Sequence, residues 1–97
     1  MGIARQYVLK AAPGRGDELA TALRALADRV RAVPGCEGVE ILGDLADEHR
    51  FVLLERWASM EAHKRSADLL PKDSFAEVMS ILGAKPEAAN LTPLHSS

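Results

Sequence analysis

Glu55, Trp57 and His63 carry most of the chemical capability of this chain, and all three fall in residues 51–63, Phe-Val-Leu-Leu-Glu-Arg-Trp-Ala-Ser-Met-Glu-Ala-His. An unperturbed imidazole titrates at about 6.5, so His63 is a neutral proton acceptor at physiological pH and a candidate general base. Trp57 offers a flat apolar surface on which an aromatic ligand could stack. Glu55 can anchor its strand or donate a proton. Arg5 and Gln6, near the start of the chain, are donors that could steady a phenolate. Together they suit removal of a proton from a phenol in an apolar pocket, after which the electron-rich anion passes an electron to dioxygen, with no cofactor. A base in an apolar pocket serves isomerisation equally well. Each position also has a plainer structural role. The His63 ring could bond to backbone or to Glu55, Trp57 could pack in a core or dimer interface, and Glu55 could simply fix a strand end.

Other chemistries find no support in the residue pattern. His49, His63 and His95 lack metal-ligand spacing and Cys36 has no Cys or His beside it, so no metal site is expected. Cys36 follows Pro34-Gly35 and so lies away from a helix N-terminus that would activate a thiol. Gly14-Arg15-Gly16 is too short for a phosphate-cradling loop, and no Ser, His and Asp arrangement for acyl transfer is present. Twelve basic against 14 acidic residues, a net charge of -2 without long runs, exclude the electrostatic footprint of a nucleic-acid or anionic-membrane binder. No stretch approaches the roughly 18 apolar residues of a membrane span, and the lone Cys36 has no internal disulfide partner. A cytoplasmic protein is the expectation.

The elements that must position these groups follow from periodicity. The chain is 47 % hydrophobic and 27 % charged, the balance of a folded globular domain, and residues 1–97 are expected to form one such domain with 95–97 as a frayed tail. Residues 3–12 alternate apolar and polar side chains up to Pro13-Gly14, as a strand does. Leu19, Leu23, Leu26, Val30 and Val33 recur at helical intervals and Pro34-Gly35 stops them, which predicts a one-sided helix over 18–33. Strands are expected at 36–42 and 51–57, joined by a polar link at 43–48 that is too long for a two-residue turn. Ser59 is placed to cap a helix whose inner face carries Met60, His63, Ala67 and Leu70. Ser74 to Glu77 has capping-box spacing before an inner stripe of Phe75, Val78, Met79 and Leu82, and a final strand is expected at 86–94. The order is βαββαβ with an extra short helix. It predicts an α+β, ferredoxin-like fold, a four-stranded antiparallel sheet covered by helices on one face. The uncovered face needs a partner, for which a second copy of the chain is expected.

With Pro13-Gly14, Pro34-Gly35 and the Glu55, Trp57, Ala62, His63 series in place, the chain resembles the antibiotic biosynthesis monooxygenase family of the dimeric α+β barrel superfamily. The resemblance implies the same fold, a homodimer formed through the open sheet face, and a cofactor-independent oxygenase. Such an enzyme would turn a small aromatic or polycyclic phenol into a quinone, with His63 catalytic and Trp57, Arg5, Gln6 and Glu55 binding substrate. The superfamily equally implies two alternatives, a non-catalytic dimeric barrel that binds a small apolar ligand in a stress or regulatory role, or an isomerase. After His63 the helix continues Lys-Arg-Ser-Ala-Asp-Leu-Leu without the further His or aromatic residue of several enzymatic relatives, and the first strand has no Asn. The missing Asn argues against haem degradation.

Overall fold

A computed structural model describes residues 2–71 and 73–95. The expected fold is present. Strands β1 (Ile3–Lys10), β2 (Cys36–Asp44), β3 (Asp47–Trp57) and β4 (Glu87–Leu91) form one antiparallel sheet in the order β2-β3-β1-β4. Helices α1 (Gly16–Arg31), α2 (Met60–Leu69) and α3 (Ala76–Ile81) supply the other elements. Because strand side chains alternate, Leu9 of β1 and Leu53 and Trp57 of β3 turn toward the helices, where they meet Leu19, Leu23, Leu26 and Val30 of α1 and Val78 and Ile81 of α3. Leu19, Leu23 and Val30 are wholly buried, each contributing about 1.5–3 kcal/mol through removal of apolar surface from water. The opposite parity, with Gln6, Val8, Val52 and Leu54, makes the second face, and the exposed Leu42 and Leu91 extend it at the sheet edges.

Several local expectations are corrected. The β2–β3 link is a two-residue turn at Leu45 and Ala46, not a six-residue loop. Asp44 accepts a bond from the Ala46 N–H at 2.8 Å and Asp47 one from the His49 N–H at 2.9 Å, so these acids satisfy local backbone instead of breaking the strands. A register irregularity at Gly43/Asp44 accommodates them. In α2 the buried residues are Ala62 and Ser66, and Ala67 is exposed. The helix lies against the rest of the fold on its smallest side chains, which permit the closest approach. The capping box at Ser74 does not form: Phe75 holds the N-cap position without a side-chain bond, and the Ser74 hydroxyl is buried with no partner. Met79 is 52 % exposed, since a six-residue helix turns only part of its circumference inward. The last strand stops at Leu91, and Ser96 and Ser97 of the expected tail lie outside the described residues.

Candidate functional site

Strand pairing assembles one polar cluster on the helix side of the sheet. Arg5 in β1 stands opposite Glu55 of β3 on one side and Asn90 of β4 on the other. Tyr7 follows two residues on, and hence on the same face. Glu55 and Trp57, also two apart, bond to each other: the indole Nε1–H donates to Glu55 Oε1 at 2.9 Å, with both side chains buried. Arg5 donates from Nη1 to Asn90 Oδ1 at 3.0 Å and lays its guanidinium over the Tyr7 ring, 4.9 Å from the centroid.

His63 reaches this cluster from α2. Ser59 caps the helix as expected, its hydroxyl accepting from the Ala62 N–H at 3.1 Å. Gly35, after α1, has φ +93°, and a Cβ there would stand 2.5 Å from the Cβ of Ala62. Its carbonyl accepts from the Ala58 N–H at 2.8 Å. The helix start is thereby held against the bare backbone of Gly35, and the next residue, His63, meets Trp57 edge to face, with ring centroids 5.6 Å apart. The His63 Nδ1 is buried and has no hydrogen-bond partner.

Burial sets the protonation of the cluster. It pushes the Glu55 carboxyl up, against the opposing pull of the Trp57 N–H and Arg5. Burial also pushes His63 down, assisted by the charge of Arg5, so the imidazole stays neutral to lower pH than usual. Tyr7 is raised chiefly by burial, with Arg5 working the other way. Arg5 thus acts electrostatically on Tyr7, Glu55 and His63 together. The ensemble can hold a proton on Glu55, accept one on His63 and present a fixed cation.

Beside the cluster lies an apolar cavity of about 70 Å³, lined by Tyr7, Leu9, Leu23, Leu26, Leu53, Phe75, Val78, Met79 and Pro86. Tyr7 is common to both, whereas His63 does not line the cavity. An apolar cavity of about 150 Å³ holds one benzene ring, so a ring-bearing ligand requires this cavity to widen. Of the residues singled out from sequence, Arg5, Glu55, Trp57 and His63 come together, and Gln6 does not. Alternation carries Gln6 to the open face, where it borders a groove with Ala4, Leu54, Arg56 and Leu91. Tyr7 and Asn90 were not anticipated. Tyr7 shares the parity of Arg5 and Leu9, a usable signal, but nothing local ties Asn90 to Arg5. His49 lies elsewhere, its Nε2 accepting the Gly14 N–H at 3.1 Å in a cleft with Gly16, Asp17 and Glu48. Among the described residues no group of three His, Cys, Asp or Glu is placed to hold a metal.

Comparison with known proteins extends these observations. The fold matches a Chloroflexus aurantiacus J-10-fl protein that bears the name of the antibiotic biosynthesis monooxygenases. The two are 26 % identical, the match covers 100 % of this chain and 97 % of that one, and the TM-score is 0.83. A Caulobacter crescentus CB15 protein named for the same monooxygenases matches at 23 % identity over 97 % and 91 % of the chains, with TM-score 0.83. SnoaB, a cofactor-independent oxygenase from Streptomyces nogalater, is 14 % identical over 98 % and 95 %, with TM-score 0.86, a likeness of fold alone. No curated protein matches the chain in sequence. The family model for antibiotic biosynthesis monooxygenase matches residues 3–69, which run from β1 through α2 and carry Arg5, Tyr7, Glu55, Trp57 and His63. By that match over more than half its length, the chain belongs to the antibiotic biosynthesis monooxygenase family.

Proposed function

We propose that the chain is a homodimeric, cofactor-independent monooxygenase-type enzyme that oxidises a small phenol to a quinone, with its substrate seated between the sheet and the helices. The carrying observation is His63: an imidazole with a buried, unpartnered Nδ1, held neutral by burial and set against the Trp57 edge. His63 takes the phenolic proton. The phenolate gives one electron to dioxygen, and the resulting pair combines at a ring carbon as a peroxide. Loss of water from the peroxide, with the ring hydrogen and the proton held by His63, leaves the quinone. One oxygen atom enters the ring, the other leaves as water, and the substrate supplies all four electrons. Trp57 holds the His63 ring in place and Arg5 steadies the phenolate. Family membership and the fold shared with a cofactor-independent oxygenase support this reading.

Oxygen consumption with a panel of small phenols and hydroquinones tests it. Turnover is expected, with His63→Ala losing at least about a hundredfold of it while keeping its fold. An unchanged rate in that variant removes His63 from the mechanism, and no turnover with any substrate refutes the oxygenase. The small cavity volume favours one second reading, a barrel that binds a compact apolar molecule without transforming it.

A further inference from the structure

Arg5 is the unbalanced charge of this site. None of its nitrogens lies within 4 Å of a carboxylate oxygen among the described residues. Among the described residues its Nη1 donates to the neutral amide of Asn90, its flat face lies on the Tyr7 ring, and its Nε is buried with no acceptor. Glu55, directly across the β1–β3 pair, turns its Oε1 to the Trp57 indole and forms no ion pair with Arg5 among the described residues. A guanidinium carries five N–H donors in a fixed fork that matches a carboxylate. The adjoining cavity is lined by apolar side chains and the Tyr7 ring.

We infer that the cluster is a subsite for a single carboxylate, received by Arg5, and that the preferred ligand is a small apolar monocarboxylic acid whose hydrocarbon part enters the cavity beside Tyr7. This rests on reading the cluster as a ligand site, and it adds that the ligand brings its own permanent charge. One fixed cation matches one negative charge, whereas a phosphate dianion leaves a surplus. Burial pushes the Glu55 carboxyl up, which weakens its claim as the counter-ion of Arg5.

The test compares benzoate with benzamide, which has nearly the same shape and no charge, by isothermal titration and by quenching of Trp57, the only Trp. Benzoate is expected to bind at least about tenfold tighter than benzamide. Arg5→Met should abolish that preference, bringing the two affinities together, and Arg5→Lys should restore part of it. Thermal melts of both variants establish that they are folded. Equal binding of the two probes overturns the inference, as does a preference that survives in Arg5→Met, or no binding of benzoate up to about 10 mM. Oxygen uptake is scored separately. Benzoate binding without uptake from any phenol leaves the subsite standing and removes the monooxygenase, and uptake without a preference for benzoate does the reverse.

Discussion

Replacing Gly35 by Ala isolates the contact that seats His63. Two costs arise. Gly35 has φ +93°, where an L-residue with a Cβ costs about 1–2 kcal/mol. The added Cβ would also stand 2.5 Å from that of Ala62. Carbon atoms prefer about 3.5–4 Å, so α2 must back away by about 1 Å, an overpacking that costs about 1–3 kcal/mol. The sum, about 2–5 kcal/mol, is a large part of the 5–15 kcal/mol typical of a domain and should lower Tm by about 10 °C or more. Gly14→Ala serves as the internal reference: it too has positive φ, +78°, but a Cβ there meets nothing within 4 Å. That variant should lose only the backbone part, about 1–2 kcal/mol. A double-mutant cycle of Gly35→Ala with Ala62→Gly, followed by urea denaturation with Trp57 emission as the probe, should return a coupling of about 1–3 kcal/mol. A coupling within about 0.5 kcal/mol of zero, or equal losses in Gly35→Ala and Gly14→Ala, would refute the claim that this approach positions α2.

The remaining expectations concern charge and the open face. Glu55 has a folded-state pKa above its ordinary 4.5, so the folded state binds its proton more tightly than the unfolded state does. Its contribution to stability is therefore greatest below the unfolded value and falls as pH rises through the folded one. Glu55→Gln keeps an acceptor for the Trp57 N–H and removes this fall, so the difference in urea midpoint between the two proteins should move in favour of the variant from pH 4 to pH 8. A constant difference would refute the assignment. On the other sheet face, Leu54→Glu should convert a dimer to a monomer at micromolar concentration in sedimentation velocity while sparing the core, which lies on the far side. A wild-type monomer, or a dimer indifferent to this change, would show that the face has another role.

The fold was legible wherever periodicity is long and the core decides it. The run from Leu19 to Val30 specified α1, and alternation in residues 3–10 specified β1. Legibility failed where short polar groups act locally. Asp44 and Asp47 read as loop residues yet bond to their own backbone at strand ends, and Ser74 has capping spacing without forming the cap. The inner face of α2 is turned about one residue from the Met60, His63, Ala67 and Leu70 stripe that helical spacing predicts, because the close approach to Gly35 selects Ala62, and Ser66 one turn on. In the site, the series Glu55, Trp57, His63 was visible because its members are near in sequence. Gln6 was grouped with Arg5 for donor chemistry alone, although adjacent strand residues point oppositely. Asn90 was invisible, being 85 residues from the Arg5 it bonds.

The division of labour along the chain has a consequence for diversification. The clustered Glu55, Trp57 and His63 lie inside the family-matched segment 3–69, while Phe75, Val78, Met79 and Pro86, four of the nine residues that wall the cavity, and Asn90, which tethers Arg5, lie beyond it. Substitutions in the last quarter of the sequence can reshape one wall of the cavity without replacing Glu55, Trp57 or His63, and they reach those groups only through Asn90 and the Arg5 it holds. A chimera that exchanges only the segment after α2 therefore alters part of the cavity wall while keeping the Glu55, Trp57 and His63 cluster in place.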